Sequence, residues 1–545
     1  MPCRSLSQKS FFDPEFVQPD CLVPGTIAWL LGRFRSSLFP TWLFAGWRGE
    51  GRLGRDAWPA VTLLTLLFLR WSEEGISRLG STERARTDVG WRAAMGLHMQ
   101  TQVPDEKTLR EFEAFLCERH PVCGVPRFLL LHEHIVRLCI EAGVVNKHAI
   151  WTTDSTPMWC YGAVMDTVRL LGDGTRMLAL RWAKATGQSF EQIAEQWAVP
   201  WVLAKSVKGH FNIEWRDPDQ RAQVVEAVAS GALRAVEQVR RHINDAANNR
   251  QKRLLRRCRD LARVVEQDLE TDKQGRLVIA QKVAKDRIVS LTDPCARHGR
   301  KSKSKTFNGF KVHILGDIVS GLIAAVTVTA GNRHDGSVAH RLIRRAKALI
   351  DTIEIVLGDT AYGGATLRHR VQGEIGVRLV APPPPTSKSR NDALSRQDII
   401  IDFDARTATC AAGVTTDDHE RVWSKEHQCE VSTFRWPKQV CNTCPLRDRC
   451  CGNRQGGHRI RLHPHEQELR QAREDWQDPE VRELYRRRSQ CERLVNQMTR
   501  HGARRARGWG LGSAQLQAHL IAMRCNLQLL ARALAERDKE ERDVA

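Results

Sequence analysis

The 545-residue chain lacks an apolar run of the roughly 20 residues that a helix needs to cross a bilayer. Its longest such run extends from Val61 to Leu69 and ends at Arg70. The first 20 residues are polar and lack the apolar core of a secretory signal. These absences argue against a membrane protein and predict a cytoplasmic one. The 16 cysteines are therefore expected to be reduced thiols or metal ligands.

Acidic residues are also scarce relative to basic ones. The chain has 63 Asp and Glu against 84 Lys and Arg, which gives a net charge of +21. Such an excess favours a polyanionic partner through long-range attraction and counterion release. A generally basic proteome is the alternative interpretation. Because the positive charge is also clustered, we expect a protein that binds nucleic acid.

The glycine-rich stretch GWGLG, residues 508–512, does not have the spacing of a phosphate-binding loop. The sequence therefore gives no indication of nucleotide binding there.

Hydrophobic periodicity divides the chain into two parts. Residues 25–142 have helical spacing throughout, as in EKTLREFEAF after Pro104 and Asp105, and form a predicted N-terminal helical domain. Residues 146–535 form a predicted α/β domain with two insertions. One insertion, residues 165–290, is helical; the other, residues 386–465, is polar, irregular and contains clustered cysteines.

Short apolar stretches indicate the strands of the second part. The first, His148 to Thr153, ends at Asp154 and is followed by a predicted turn at residues 155–157. The remaining elements are a hairpin of residues 307–315 and 321–329, a helix at 335–350, and strands at 353–357 and 376–381. A C-terminal helical region follows from residue 478. Without its insertions, this is the element order of an RNase H-like mixed sheet flanked by helices.

Two aspartates follow predicted strands. Asp154 comes after Ile150 and Trp151, and Asp359 comes after the strand that ends at Leu357. Phosphoryl transfer by two metal ions requires carboxylates that converge from distant parts of a chain, and strand ends can bring them together. For either aspartate taken alone, a simple turn residue remains the alternative.

A third acid lies in an arginine-rich helix. In YRRRSQCERLVNQMTR, residues 485–500, Tyr485, Arg488 and Glu492 are spaced to lie on one helical face. Glu492 is surrounded by positive charge. This setting is typical of a salt-bridge partner, and also of a metal-binding acid beside a bound nucleic-acid backbone.

These features resemble the bacterial insertion-sequence DDE transposases, in particular the subgroup with a cysteine cluster before the glutamate helix. The resemblance covers about residues 30–530 and rests on four motifs. They are Tyr485-x2-Arg488-x3-Glu492, DTAYGG at 359–364, the basic segment DPCARHGRKSKSKTFNGFKVH at 293–313, and CNTCPLRDRC at 441–450.

The resemblance implies an RNase H-like catalytic domain in which Asp154, Asp359 and Glu492 hold two Mg²⁺ or Mn²⁺ ions. It implies that water nicks the ends of the element and that the freed 3′-hydroxyl attacks target DNA without a covalent protein–DNA intermediate. Tyr485 and Arg488 would position backbone phosphates. The partners would be double-stranded DNA, as terminal inverted repeats and target, and a second copy of the chain on that DNA.

One position departs from the family pattern. Seven residues after the glutamate the family has a basic residue that contacts a DNA-end phosphate, whereas this chain has Thr499 followed by Arg500. We take Arg500 as the substitute. Asp166 and Asp335 are second choices for the catalytic acids, and Asp154 is preferred to Asp166 because only Asp154 follows a strand-like run.

The cysteine cluster predicts a structural zinc site. Cys441, Cys444 and Cys450 have the spacing of a zinc knuckle. Cys410, Cys429 or Cys451 could complete the set, with His458, His463 and His465 nearby; Cys410 is preferred because it resembles the family's upstream cysteine. Free structural thiols remain the alternative.

Two basic clusters are candidate DNA contacts. The first, RHGRKSKSK at 297–305, has no acid and could equally be a solvated loop. The second, RHGARRAR at 500–507, follows the glutamate helix. The residues we select from them are Arg300, Lys301, Lys303, Lys305, Arg500, Arg504 and Arg505.

The sequence leaves three functions open. The chain could be an active transposase, a catalytically silent DNA-binding protein derived from one, or a metal-dependent nuclease that cuts without joining strands. Intact Asp154, Asp359 and Glu492 favour the first. The N-terminal helices are the candidate for recognition of the element's ends, although they contain no clear helix-turn-helix pattern. For an active transposase, we expect association with the bacterial nucleoid.

Overall fold

The computed structural model describes residues 22–47, 57–98, 100–242, 249–301, 304–385, 394–424, 429–451 and 456–544. Over these ranges the chain has a mixed α/β fold. None of the helices within them combines the length and apolar character needed to span a membrane.

The N-terminal part is helical. Asp105 caps α5 by accepting a hydrogen bond from the backbone N–H of Thr108, as the sequence suggested. Nearly every residue of α2 is buried, which explains its lack of a polar face. The helices are α1 Ile27–Leu38, α2 Ala60–Ser72, α3 Arg78–Thr87, α4 Val89–Met95, α5 Glu106–Cys117 and α6 Arg127–Glu141.

The first strand, β1 (Trp151–Trp159), leads into a helical segment that has its own hydrophobic core. A small hairpin, β2 and β3, follows the last of these helices. The elements are α7 Thr167–Thr186, α8 Phe190–Gln196, α9 Val207–His210, α10 Pro218–His242, α11 Asn249–Asp268, β2 Leu269–Thr271 and β3 Leu277–Ile279.

The next elements complete the main sheet. The predicted hairpin is confirmed, since β5 and β6 pair antiparallel. Asp317 organises its turn by accepting hydrogen bonds from the backbone N–H groups of Val319 and Ser320. The elements are β4 Arg297–Arg300, β5 Thr306–Asp317, β6 Ile323–Ala330, α12 Gly336–Lys347, β7 Ile355–Leu357, α13 Ala365–His369 and β8 Arg378–Val380.

The cysteine-containing segment has more regular structure than the sequence suggested. Two small antiparallel sheets, β9–β11 and β12–β14, form among its described residues. The prediction of an irregular segment was wrong because these strands are short and several are largely exposed, so they lack a strong apolar pattern. The elements are β9 Ile400–Asp402, β10 Thr407–Thr409, β11 Thr415–Thr416, β12 His419–Ser424, β13 Cys429–Arg435, α14 Lys438–Asn442, α15 Arg447–Cys450 and β14 Arg459–Leu462.

The chain ends in helices, as predicted. A 3₁₀ segment, Arg487–Gln490, joins α17 to α18, and a π-helical segment, Thr499–Ala503, follows α18. The helices are α16 Glu466–Asp475, α17 Pro479–Arg486, α18 Cys491–Met498 and α19 Gly510–Val544.

The main sheet has the strand order β4-β5-β1-β7-β8, with β6 also paired to β5. β1 runs antiparallel to β5 and parallel to β7, and β7 runs parallel to β8. The N-terminal helices, the sheet and α19 share one hydrophobic core that includes Leu66, Phe112, Phe310 and Ile521. The sheet that carries the candidate site is therefore supported by both ends of the chain.

The predicted turn after Asp154 was wrong. Asp154 lies within β1, and Ser155, Thr156 and Pro157 continue the strand opposite β5. A proline is tolerated here because β7 pairs with β1 only at Trp151 and Thr152, which leaves the rest of that side of β1 without a pairing from β7.

Candidate active site

The register of the sheet brings Asp154 and Asp359 to the same place. β1 and β7 are parallel, and their last register pair is Thr152 with Leu357. Each aspartate lies two residues beyond that pair in its own segment, and neighbouring strands are about 4.8 Å apart. The Thr152 hydroxyl donates to the carbonyl of Leu357 at 3.3 Å and ties the two segments together just before the acids.

Arg488 lies between the two carboxylates. Its Nη2 is 3.2 Å from Oδ2 of Asp154 and 3.8 Å from Oδ2 of Asp359. Backbone N–H groups hold the other carboxylate oxygens: Ser155 donates to Asp154 Oδ1 at 2.7 Å, and Ala361 donates to Asp359 Oδ1 at 2.9 Å. The two aspartates thus point toward a shared positive group.

Burial raises the pKa of Asp154 above its ordinary value. The positive charge of Arg488 and the Ser155 N–H oppose this shift, whereas the negative charges of Asp359 and Asp335 add to it. Like charges disfavour ionisation of a neighbouring acid, so this pocket concentrates negative charge that a cation would stabilise.

Asp335 also lies close to this pair, although the sequence ranked it only as a second choice. Its Oδ1 accepts from Nζ of Lys311 at 2.8 Å, and both side chains are mostly buried. Its negative charge also acts on the buried Tyr362, whose pKa is raised mainly by burial. Tyr362 lies three residues after Asp359 in the DTAYGG motif, and this closeness in sequence could have predicted its position beside the acids.

Glu492 lies in the first turn of α18 and is exposed. Its neighbour Cys491 is buried, and burial raises the pKa of that thiol to about 12, with the charge of Asp154 adding to the shift. The start of α18 is therefore close to Asp154. However, within the described ranges no hydrogen bond links Glu492 to Asp154 or Asp359.

Tyr485 lies on α17 and packs against Trp476, with ring centroids 4.8 Å apart. Burial raises the pKa of its hydroxyl; the charge of Arg488 opposes this shift, and those of Asp359 and Asp154 add to it. Tyr485, Arg488 and the two aspartates therefore form one neighbourhood. The other second choice, Asp166, instead caps α7 and pairs with Lys208 at 2.9 Å.

The second basic cluster continues from this neighbourhood. Arg504 donates to the hydroxyl of Thr156, two residues beyond Asp154 on the same face of β1, at 3.1 Å. Arg505 is exposed and forms an isolated bridge with Trp159 at the end of the strand. Arg500 is exposed and lines a separate cavity of about 540 Å³. The other basic residues lining that cavity are Arg493, His501, Arg524 and Arg532.

The first basic cluster forms the end of the β4–β5 hairpin. Arg300 pairs in register with Thr306, and the Lys301 N–H donates to the carbonyl of Lys305. Arg300, Lys301 and Lys305 are exposed, whereas Lys303 lies outside the described residues. The hairpin therefore presents its described positive charges to solvent, but none of these contacts connects it with the aspartate pair.

The predicted zinc ligands surround one cavity of about 240 Å³. Cys410, Cys441, Cys444 and Cys450 all line it, together with Cys451 and His458. The ligand atoms of Cys450, Cys451 and His458 lie within 4.8 Å of one another. Burial raises the pKa of Cys450 to about 12, with Cys451, Cys441 and Cys410 contributing further. Cys429 instead lies 3.9 Å from the Nε2 atom of His463.

Two family models match the chain. One, described as "Transposase DDE domain", matches residues 409–531, which include the cysteine cavity, Tyr485, Arg488 and Glu492. The other, described as "Transposase domain (DUF772)", matches residues 42–114 in the N-terminal helices. A comparison with curated proteins found no match.

Proposed function

Because this chain is an insertion-sequence DDE transposase, we propose that Asp154, Asp359 and Glu492 form a two-metal site that cleaves the element's ends and joins them to target DNA. The observation that carries this proposal is the convergence of Asp154 and Asp359 on one positive group, Arg488. A protein that only bound DNA would have no need of two acids held together against their mutual repulsion.

The donor set fits Mg²⁺ or Mn²⁺. These ions prefer a few carboxylate oxygens together with water and phosphate oxygens. Asp154, within β1, and Asp359, just after the parallel strand β7, provide such oxygens, and both carboxylates stabilise the positive charge of the Arg488 guanidinium between them. When bound, two such ions would neutralise phosphate charge and stabilise the attacking and leaving oxygens.

The protein's own groups would position the DNA. Arg488 is a guanidinium between two acids, so it can exchange these carboxylates for a backbone phosphate when DNA enters. Tyr485, held against Trp476, offers a hydroxyl at the same edge. Arg504, which donates to the Thr156 hydroxyl, and the neighbouring Arg505 extend the positive charge along β1. The DNA strand that leads to the reacting phosphate would lie there.

We assign the third acid to Glu492 rather than Asp335. Lys311 already neutralises Asp335 at 2.8 Å in a mostly buried pair. Glu492 is exposed at the start of α18, next to the buried Cys491, and is free to turn toward the aspartates. The site would then be completed when metal ions and DNA are bound.

The RNase H-like classification of the catalytic domain is part of the proposal. It is supported by the chain order of strand, hairpin, helix, strand, helix and strand around the acids, with the helical segment inserted after β1. We assign residues 146–535 to this domain, with insertions at 165–290 and 386–465, and residues 25–142 to the domain that recognises the element's terminal repeats. A homodimer would hold the two ends together.

We also propose that the cysteine cavity holds one structural zinc ion. Cys441 and Cys450 from the predicted set lie with Cys451 and His458, and thiolate and imidazole are the donors that zinc prefers. The site lies in a segment of short strands with a small hydrophobic core, and a bound metal ion would add to the stability of this segment. A Cys441→Ser protein should therefore retain one zinc ion fewer per chain than the wild type.

The experiment that tests the proposed function uses duplex DNA carrying the element's terminal repeat. With Mg²⁺ present, the protein should nick this DNA to leave a 3′-hydroxyl and then join that end to a second duplex. Nicking without any joined product would favour a nuclease. Binding without nicking, in both Mg²⁺ and Mn²⁺, would favour a silent DNA-binding protein.

A further inference from the structure

A second cluster of metal-ligand side chains lies apart from both the acids and the cysteine cavity. It joins His369, at the end of α13, to the start of α16, where His465 is the N-cap residue and Glu468 lies in the first turn. The Nδ1 atom of His369 is 2.6 Å from Oε1 of Glu468, and the Nδ1 atom of His465 is 3.7 Å from the same oxygen. Two imidazoles from different segments thus converge on one carboxylate oxygen.

The three ligand atoms lie close enough together to share one ion. All lie within 4.8 Å of one another, and the ligands of a tetrahedral zinc ion with bonds of about 2.0–2.1 Å are about 3.3 Å apart. Because the lone pair of an imidazole nitrogen lies in the plane of its ring, His369 and His465 would rotate relative to each other to direct both lone pairs at one ion. The side chains remain 47% (His369), 25% (His465) and 28% (Glu468) exposed, so water could enter a fourth position.

The two imidazoles lie against each other beside the carboxylate. The rings of His369 and His465 are stacked, with centroids 3.7 Å apart and an angle of 14° between their planes. Two imidazole nitrogens and one carboxylate oxygen are three electron-pair donors that a cation can share.

We propose that His369, His465 and Glu468 bind one transition-metal ion of the zinc type. Imidazole with carboxylate suits zinc, whereas magnesium prefers oxygen ligands alone. Such an ion would fasten α13 to α16. α13 follows Asp359 closely in the chain and α16 precedes the helix that carries Tyr485, so the ion would fix these two segments relative to each other. The inference does not depend on the assignment of the catalytic acids.

The test uses the full-length protein, stripped of metal, reloaded with zinc and dialysed. Metal analysis should give one zinc fewer per chain for His369→Ala and for His465→Ala than for the wild type. His148→Ala removes an exposed histidine elsewhere and should retain the wild-type content. Equal zinc content in all four proteins would overturn the proposal.

Two further measurements separate this site from the cysteine cavity and from a folding defect. Cobalt bound at the proposed site should show no thiolate charge-transfer band, and a Cys441→Ser protein should still bind it. In the wild type, zinc should protect His369 and His465, but not His148, from acylation by diethyl pyrocarbonate. Unchanged labelling of His369 and His465 by zinc would contradict the proposal even if the variants failed to fold.

Discussion

Arg488 reduces the repulsion between Asp154 and Asp359. Its guanidinium is only 22% exposed, and it is 3.2 Å from one carboxylate and 3.8 Å from the other. Two unit charges 4 Å apart interact by about 4 kcal/mol at an effective dielectric constant of 20. Because Arg488 and a bound metal ion would both be attracted to the same carboxylate oxygens, the two would compete for them.

This competition predicts opposite effects of one substitution on metal binding and on catalysis. Arg488→Ala should bind Mn²⁺ about tenfold more tightly in the absence of DNA, because a competing charge is removed; a tenfold change corresponds to about 1.4 kcal/mol. The same variant should cleave end DNA about 100-fold more slowly, because it has lost a phosphate contact worth roughly 2–3 kcal/mol. Electron paramagnetic resonance of free Mn²⁺ and a single-turnover cleavage assay provide the two readouts.

Arg486→Ala is the matched control, since Arg486 is exposed at the end of α17, two residues before Arg488, and pairs with Glu483 instead. It should leave Mn²⁺ affinity unchanged. If Arg488→Ala weakened Mn²⁺ binding, the guanidinium would be supporting a metal site rather than competing with the ion.

Asp166 provides a second prediction at the residue scale. Its side chain accepts a hydrogen bond from the backbone N–H of Arg169 at the start of α7. Asp166→Ala should therefore lower the free energy of unfolding by about 1 kcal/mol, whereas Asp166→Asn retains the cap and should change it little. Neither variant should alter DNA cleavage by more than about twofold when urea unfolding confirms that the protein is folded. A large loss of cleavage in Asp166→Asn would reopen the choice between Asp166 and Asp154.

At the scale of elements, β1 and β5 approach so closely that only glycine fits at position 309. A Cβ there would lie 2.2 Å from the carbonyl oxygen of Met158 and 2.6 Å from the backbone nitrogen of Cys160, and φ is +152°. Both atoms belong to the backbone, so neither can move without separating the strands.

Gly309→Ala should therefore lower the free energy of unfolding by at least about 2 kcal/mol through overpacking and strain. It should also slow cleavage, because β1 carries Asp154. Gly373→Ala is the matched control, since a Cβ there meets nothing within 4 Å. Urea unfolding of both variants measures the difference, and equal stabilities would show that the two strands can separate at little cost.

The contact between α6 and α19 contains a buried histidine pair. The Nδ1 atoms of His132 and His519 are 2.9 Å apart, and Nε2 of His132 is 3.0 Å from the carbonyl oxygen of Ile323. Burial lowers the pKa of His132 to about 4. Burial also lowers the pKa of His519 well below its ordinary value, with the charges of His132 and Arg345 adding to the shift.

Stability should therefore depend on pH through these two helices. Between the ordinary value of 6.5 and about 4, the unfolded chain binds protons that the folded chain excludes. The stability that the two neutral histidines contribute is fully present above this window. The free energy of unfolding then falls as pH decreases through the window, by at most about 1.4 kcal/mol per pH unit for each histidine. His519→Gln should show a shallower decline than the wild type between pH 6.5 and 5, whereas His148→Gln should not. An unchanged slope in His519→Gln would mean that this histidine already carries a proton in the folded protein.

The elements of the sheet could be predicted because each has a strong local signal. The turn at Asp317, Ser320 and Gly321 fixes the β5–β6 hairpin, and the apolar run before Asp359 defines β7. The position of Asp154 within β1 could not be predicted, because Pro157 indicates a turn and only the limited pairing with β7 makes a strand possible. The convergence of His369 with His465 was also hidden, since the two are distant in sequence.

At the scale of the whole molecule, the net charge of +21 should make DNA binding strongly salt-dependent. Arg500 lines a cavity with Arg493, Arg524 and Arg532 and is exposed there. If Arg500 contacts one phosphate, Arg500→Ala should reduce the slope of log affinity against log salt concentration by about 0.9. Titrations at several salt concentrations measure this slope. An unchanged slope would remove Arg500 from the DNA path.

Asp154 within β1 and Asp359 just after β7 are proposed to perform metal-dependent chemistry on DNA. The most direct measurement compares the wild type, Asp359→Asn and Asp154→Asn for cleavage of terminal-repeat DNA in Mg²⁺, with binding of the same DNA measured in parallel. Either substitution should abolish cleavage and leave end binding within about twofold of the wild type. Cleavage at the wild-type rate by Asp359→Asn or Asp154→Asn would contradict this proposal.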